Sequence, residues 1–279
     1  MTNASDPYRL YYDPAAGAAA GEPTGGPAGA PVFDWVFFDY GGTLTRERLP
    51  EPWAPAPWPT GRALRAWFES LGVPAAESDE AMEQLTVTAP RRTPGRAGQR
   101  SLEANREYER RWMAAIYTLA GVDRPVLDAE LESACAFYHW KAAAEARPLG
   151  PDTLATLDRL RAGGVRLGVI SNNNGYVEDA LRGAGARDRF ELVIDSARVG
   201  SAKPEYHIFD LARRRTGTPG ARLLYVGDDF ANDVEGALAA GYHAAAWITD
   251  AAAERPLPPG TVHRISAISQ LEPICLAKD

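Results

Sequence analysis

The sequence predicts an α/β fold, in which a doubly wound parallel sheet is interrupted by an inserted α-helical domain. Beyond residue 148, short apolar runs alternate with amphipathic stretches at the spacing of βαβ units, a pattern typical of a parallel sheet with helices on both faces. Between residues 46 and 147 the periodicity is helical, and no strand-like run occurs. We therefore expect residues 32–45 and 148–279 to form the core and residues 46–147 to form the insertion.

The elements can be assigned in chain order. Residues 1–31 are rich in Ala, Gly and Pro and have little to bury, which predicts a disordered N-terminal extension. The first strand is the apolar run that ends at Phe38. Later strands are predicted at residues 165–170, 190–195, 222–226 and 243–248. Helices are predicted near residues 151–162, 176–184, 204–215 and 232–240 in the core, and near 61–71, 78–86, 101–120 and 127–146 in the insertion.

Asp39 comes directly after the first strand and is followed by a glycine-rich turn that contains Gly41 and Gly42. An isolated ionised carboxylate is costly at the end of a buried strand, so Asp39 is predicted to be paired, bound to a metal or reactive. The two glycines allow backbone amides to approach an oxyanion closely. The pattern indicates a nucleophile beside a turn that can bind phosphate.

Polar residues also follow the later strands. Ser171 follows the second predicted strand, Lys203 precedes a predicted helix, and Asp228 and Asp233 follow the fourth strand. The carboxyl ends of parallel strands gather at one edge of a sheet, where open α/β folds place their ligands. Asp39, Ser171 and Asp228 are therefore expected to lie together.

In this order and setting, the four motifs resemble those of the haloacid dehalogenase superfamily, most of whose members are magnesium-dependent phosphatases and phosphotransferases. The resemblance covers residues 32–44 and 148 to about 247. It implies a Rossmann-like core with a helical cap, which in that family closes over the active site and selects the substrate. It also implies a small phosphorylated molecule as the substrate.

By this resemblance, Asp39 is the nucleophile that attacks phosphorus in line. The Asp39 carboxylate, the backbone carbonyl of Gly41, Asp228 and Asp233 are implied to form the Mg²⁺ site, because hard oxygen ligands suit that ion. Asp233 can instead hydrogen-bond to water on the metal or to the motif lysine, and Asp229 could substitute for it.

The resemblance also implies which residues bind the transferring phosphoryl group. The hydroxyl of Ser171 and the amides of Asn172 and Gly42 are implied to act as preorganised donors. Lys203 is implied to supply positive charge to the aspartyl-phosphate and to the phosphoryl group.

Gly41 departs from the family pattern, because most phosphatases of the family have a second Asp there, which protonates the leaving oxygen. General acid–base catalysis of this kind contributes ~10²–10⁴-fold.

Three interpretations stay open. The chain is a phosphohydrolase or phosphotransferase that uses another proton source or acts on acyl, aryl or anhydride phosphates; it is a carbon–halogen or carbon–phosphorus hydrolase, with Lys141 as a candidate Schiff base; or it is a non-catalytic module that binds a phosphorylated metabolite. We favour the first interpretation, because Asp39, Lys203 and the acidic pair are all retained.

Other residues are candidates for the proton donor and for substrate selection. His139 and His207 are candidate donors, because histidine titrates near neutrality. Trp53 and Trp58 lie in a proline-rich stretch close after the nucleophile and are candidates to line a pocket for a bulky substrate. Residues 90–100 concentrate arginines that could bind a second anionic group.

The composition excludes several other classes of function. The net charge of −7 and the pI near 5.3 argue against a nucleic-acid-binding protein. No stretch approaches the roughly 18 consecutive apolar residues that span a bilayer, and no signal segment is recognisable, so we expect a cytoplasmic protein that does not enter a membrane. Cys135 and Cys275 lack the spacing of a zinc site or a disulfide framework and are expected to be buried apolar residues. The sequence does not indicate an oligomeric state.

Overall fold

The computed structural model describes residues 32–46, 60–72, 84, 101–146, 149–250, 257 and 261–276. Several predictions fall outside this set. They concern the N-terminal extension at 1–31, the helix at 78–86 apart from Gln84, the arginine-rich segment at 90–100, and the side chains of Trp53 and Trp58.

The core of the chain is a six-stranded parallel sheet with the strand order β3-β2-β1-β4-β5-β6. The order runs outward in both directions from the centre, so the predicted doubly wound fold is confirmed. The sixth strand was not predicted. The strands are β1 (Trp35–Phe38), β2 (Arg166–Ser171), β3 (Leu192–Asp195), β4 (Leu223–Gly227), β5 (Ala244–Ile248) and β6 (Val262–Ile265).

Strand β1 lies at the centre of the sheet and is buried on both faces. Phe38 pairs with Val169 of β2 on one side and with Val226 of β4 on the other. Successive side chains of a strand point to opposite faces, and Phe37 and Phe38 accordingly belong to different hydrophobic clusters. This double burial explains why the strand preceding Asp39 is a continuous apolar run.

Helices cover both faces of the sheet. Leu157 and Val177, from two helices, pack on the face that carries Phe38, and Phe209 packs on the opposite face. No helix in the described ranges is long and apolar enough to cross a membrane. The core helices are α4 (Pro151–Ala162), α5 (Val177–Gly183), α6 (Ser196–Val199), α7 (Tyr206–Thr216), α8 (Gly236–Ala239) and α9 (Glu272–Cys275).

The predicted helix at 232–240 is shorter in the structure. The segment Phe230–Glu235 is a wide helical turn, and only then does α8 begin. The wide turn places the carboxylate of Asp233 against the backbone of Gly227. A Cβ atom on this glycine would lie 2.2 Å from Oδ2 of the aspartate.

The insertion is helical where it is described, with three helices: α1 (Thr60–Ser70), α2 (Leu102–Leu119) and α3 (Asp128–Ala146). These helices have their own hydrophobic cluster, to which each contributes, as Phe68, Ile116 and Cys135 show. Tyr176 of the core belongs to the same cluster and so joins the two parts of the molecule.

Cys135 and Cys275 are both fully buried, and burial raises the pKa of each thiol, as expected for packing residues rather than nucleophiles.

Candidate active site

The carboxyl ends of the three central strands meet in a cavity of about 560 Å³. Asp39 follows β1, Ser171 is the last residue of β2, and Asp228 follows β4. The backbone N–H of Asp39 donates to the carbonyl of Val226 over 2.9 Å, so the pairing of β1 with β4 extends to the aspartate itself. The structure therefore brings these three predicted residues together at one sheet edge.

The turn after Asp39 requires glycine at one position and leaves open space at another. Gly42 has a φ of +74°, and a Cβ atom there would lie 2.4 Å from Oδ2 of Asp228. The N–H of Gly42, predicted to bind phosphate, donates within the turn to Oγ1 of Thr45 over 3.1 Å. A Cβ atom on Gly41 would have no described atom within 4 Å. Position 41 therefore faces the cavity with room for a side chain.

Lys203 is a buried cation held by three oxygen atoms. Its Nζ atom lies 2.8 Å from Oδ1 of Asp39 and 2.7 Å from Oδ1 of Asp233. The third oxygen is the hydroxyl of Tyr225, 2.9 Å away. Burial lowers the pKa of Lys203, but the charges of Asp39 and Asp233 outweigh that effect and the net shift is upward. The lysine therefore stays charged beside the predicted nucleophile.

Tyr225 is a site residue that sequence analysis missed. It lies within β4, and its hydroxyl accepts from Lys203 and donates to the carbonyl of Ile170 over 2.7 Å. Burial raises the pKa of Tyr225 well above its usual value, so the hydroxyl keeps its proton. In the sequence this residue looks like a core aromatic. The one available signal is that a hydroxyl in the central strand of a buried sheet needs a polar partner.

Three carboxylates converge beside the lysine. Asp39, Asp228 and Asp233 each offer an oxygen within 4.8 Å of the other two. Thr43 donates to Asp228 over 3.1 Å. Burial raises the pKa of Asp228, and the charge of Asp39 raises it further. One ammonium group does not neutralise three carboxylates, so this all-oxygen donor set fits a divalent cation such as Mg²⁺.

Asp229, the predicted substitute for Asp233, has a different role in the structure. Its Oδ1 accepts from the backbone N–H of Asn232 over 3.0 Å, which caps the turn that follows. Its own N–H donates to Oδ2 of Asp233 over 3.0 Å. Asp229 thus shapes the turn, and Asp233 is the member of the pair that reaches Lys203.

Asn172, the residue after β2, fixes the backbone of Lys203. Its Oδ1 accepts from the N–H of Lys203 over 2.8 Å, and its Nδ2 donates to the carbonyl of Lys203 over 3.0 Å. Because the side chain is engaged in this clamp, the backbone N–H is the part of Asn172 left for the predicted contact with phosphate. Ser171, 3% exposed, lines the cavity beside it.

The loop after β2 is held by side chains from the end of β3. The N–H groups of Gly175 and Val177 donate to Oδ2 of Asp195 over 2.9 and 3.3 Å. The N–H of Asn173 donates to Oγ of Ser196 over 3.0 Å. These bonds fix the loop whose residues Asn173, Asn174 and Tyr176 form one wall of the cavity.

The insertion contributes His139 to that wall. Its ring stacks on Tyr176 with the centroids 4.5 Å apart, and its Nε2 lies 3.4 Å from Oε2 of Glu109. Asn174 donates to Oε1 of Glu109 over 2.9 Å. Glu109 and Asn174 were not predicted. The signal for Glu109 is its position on the buried face of α2, in register with Asn105 and Trp112, where a charged residue is unexpected.

Two other candidate residues lie away from the cavity. Lys141, the candidate Schiff base, has its Nζ 5.9 Å from the ring of Trp140 and does not line the cavity. His207 is exposed on α7, beside Tyr206, and does not line the cavity either. Of the two histidines suggested as proton donors, only His139 lines the cavity that the predicted nucleophile also lines.

Comparison with known proteins gives a family match and several relatives. The family model for haloacid dehalogenase-like hydrolases matches residues 33–241, a range that includes every candidate site residue above. The chain is 35% identical over 143 residues to glyceraldehyde 3-phosphate phosphatase of Methanothermobacter thermautotrophicus, covering 51% of this chain and 62% of that protein. It is 33% identical over 124 residues to pyrimidine 5'-nucleotidase YjjG of Escherichia coli, covering 44% of this chain and 54% of that protein. The matches thus span about half to three fifths of these relatives.

A solved structure shows the same fold. It is described as 2-haloacid dehalogenase from Pseudomonas syringae pv. Tomato and superposes with a TM-score of 0.57. The sequence identity is 23%, and the match covers 86% of this chain and 96% of that one.

Proposed function

The chain belongs to the haloacid dehalogenase-like hydrolases, and from that premise we propose that it is a magnesium-dependent phosphohydrolase or phosphotransferase that acts through an aspartyl-phosphate on Asp39. The observation that carries the proposal is the placement of Lys203, whose Nζ bridges Asp39 and Asp233 at 2.8 and 2.7 Å. A binding module has no need of a nucleophile held in this way.

Each residue of the cavity has a role in this reaction. Asp39 attacks phosphorus and forms the aspartyl-phosphate, which water then hydrolyses or an acceptor alcohol cleaves. Lys203 holds the nucleophile in place and offsets charge on the phosphoryl group. Ser171 and the backbone amides of Asn172 and Gly42 donate to the phosphoryl oxygens, which requires the N–H of Gly42 to exchange Thr45 for the substrate.

The metal site is assigned to Asp39, Asp228 and Asp233, with the backbone carbonyl of Gly41 as a further ligand. Magnesium bound there would neutralise the approach of the anionic substrate to the carboxylate and polarise the phosphoryl oxygens. The excess of carboxylates over ammonium groups supports this assignment.

Small phosphate monoesters are the proposed substrates. The names of the relatives describe phosphatases of glyceraldehyde 3-phosphate, of pyrimidine nucleotides and, for a Halopiger xanaduensis protein, of ribulose-1,5-bisphosphate. A cavity of about 560 Å³ holds a molecule of that size. Carbon–halogen hydrolysis has less support, because it gives no use to Asp228 and Asp233 as metal ligands. The Schiff-base route has less support, because Lys141 does not line the cavity.

Metal dependence is the first test of the proposal. We expect phosphate release from aryl, acyl and alkyl phosphates to fall to background in EDTA and to return when Mg²⁺ is added. The melting temperature should also rise with Mg²⁺, because a ligand that binds only the folded state stabilises it.

Borohydride reduction during turnover should convert residue 39 to homoserine, which peptide mass spectrometry would locate. Turnover that persists in EDTA, or no label at residue 39, would contradict the proposal.

Gly41→Asp tests whether an acid at the position that most phosphatases of the family use adds to catalysis. No described atom lies within 4 Å of a Cβ atom at this position, and Gly41 lines the cavity, so we expect it to accept an aspartate side chain. We expect hydrolysis of alkyl phosphates to rise by about tenfold, within the range of acid–base catalysis. Gly41→Asn is the matched control, with the same shape but no acid, and should give no gain. An equal gain in both variants, or a loss with Asp, would count against the argument.

A further inference from the structure

We propose that His139 is the proton donor to the leaving group, with Glu109 as its positioning residue. This inference rests on the proposed function and specifies it further, because it assigns the step that Gly41 cannot perform. It also extends the substrate range to unactivated alkyl phosphates, whose leaving oxygen requires a proton.

The first observation is the location of His139. The ring lies on α3 of the insertion, yet it lines the same cavity as Asp39 and Lys203. Because it belongs to the insertion and not to the strand ends that carry Asp39 and Ser171, we place the leaving-group part of the substrate beside it. The stacking on Tyr176, with 13° between the rings, fixes the plane of the imidazole.

The second observation is the environment of Glu109. Its side chain is only 9% exposed, and its partners are His139 at 3.4 Å and Asn174 at 2.9 Å. In the described part of the chain, His139 is the one basic side chain that pairs with this carboxylate. A buried carboxylate is costly without a counter-ion, and a protonated imidazole supplies one. The charge of His139 also acts on Asp179 of α5. Arg106 and Glu132 act in turn on Tyr176, on which the imidazole stacks.

The two ring nitrogens then have separate roles. Nε2 lies 3.4 Å from Oε2 of Glu109 and 3.5 Å from Nδ2 of Asn174, and we assign it a proton that is donated to the carboxylate. Nδ1 has no hydrogen-bond partner among the residues that the structure describes, so we assign it the mobile proton. As Asp39 forms its bond to phosphorus, the bond from phosphorus to the leaving oxygen breaks, and the Nδ1 proton passes to that oxygen to give an alcohol. Nδ1 then accepts a proton from the water that hydrolyses the aspartyl-phosphate, so phosphate ester and water become alcohol and phosphate.

The test compares two leaving groups. We measure kcat/KM in the presence of Mg²⁺ for the wild type and for His139→Gln. The substrates are nitrophenyl phosphate, whose leaving group needs no proton, and glycerol phosphate, whose leaving group does. Because kcat/KM reports the first chemical step, we expect a loss of about 10²-fold on glycerol phosphate and a loss below about tenfold on nitrophenyl phosphate. Glu109→Gln should shift the ratio in the same direction by less. A purely structural role for either residue would lower both rates equally.

Controls separate this inference from the proposed function. His207→Gln changes a histidine outside the cavity and should leave the ratio unchanged. Adding Gly41→Asp to His139→Gln should restore at least about tenfold of the glycerol phosphate rate, by supplying the acid from another position. Equal losses on both substrates, no restoration, or a wild type active only on nitrophenyl phosphate would overturn the role of His139. A wild type that releases phosphate from neither substrate would overturn the proposed function as well.

Discussion

Asp39→Asn is expected to abolish phosphate release from every substrate, by about 10⁴-fold or more, the scale seen when an enzyme loses its nucleophile. The amide nearly matches the carboxylate in shape but cannot form an acyl phosphate. The fold should persist, because Lys203 keeps Asp233 as a partner at 2.7 Å. Removal of the charge of Asp39 also relieves its repulsion with the carboxylates of Asp228 and Asp233. Phosphate release with each substrate and thermal melting of the purified variant provide the measurement.

Asp34→Asn is the matched control for this variant. Asp34 lies just before β1, at the opposite end of the strand from Asp39, where it pairs with Arg222. The Asp34→Asn variant should retain activity, because Asp34 is remote from the cavity. Residual turnover by Asp39→Asn above about one part in 10² would show that the reaction does not depend on a covalent bond to this residue.

Lys203→Met is expected to destabilise the fold by about 3 kcal/mol and to remove activity. The substitution leaves Asp39 and Asp233 without their cation, and unpairing a buried ion typically costs about 3–5 kcal/mol. Urea denaturation in EDTA measures the free energy of unfolding. Mg²⁺ should recover more stability in this variant than in the wild type, because the unneutralised carboxylates bind the cation more strongly.

Lys141→Met provides the comparison for Lys203. This lysine lies near Trp140 in the insertion and is partly exposed, so its replacement should change the free energy of unfolding by no more than about 0.5 kcal/mol. Equal effects at the two lysines would mean that the cavity does not depend on Lys203 for its charge balance.

Much of the core could be predicted because its signals are local. A continuous apolar run such as the one ending at Phe38 indicates a strand buried on both faces, and parallel strands necessarily bring their carboxyl ends together. The predicted and observed strands agree to within about two residues, which is the usual uncertainty of element boundaries. The exception is β6, Val262–Ile265, which has four residues and two polar side chains and so lacks a clear strand pattern.

The rest of the site depends on contacts between distant parts of the chain. Tyr225 and Glu109 become recognisable only when Lys203 and His139 are placed beside them. A tyrosine in a buried strand and a glutamate in a helix are common in any sequence, and their partners lie 22 and 30 residues away along the chain. Sequence periodicity gives the face on which a residue lies, but it does not give the residue opposite.

The loop at residues 172–176 has an evolutionary consequence. Every position in it has its own partner. A deletion or an insertion there would therefore disturb both the contact of Asn172 with Lys203 and the contact of Tyr176 with His139. New substrate preferences in such a protein should therefore arise by substitution in the helical insertion rather than by change of loop length. The pairs, in order, are Asn172 with the backbone of Lys203, Asn173 with Ser196, Asn174 with Glu109, Gly175 with Asp195, and Tyr176 with His139.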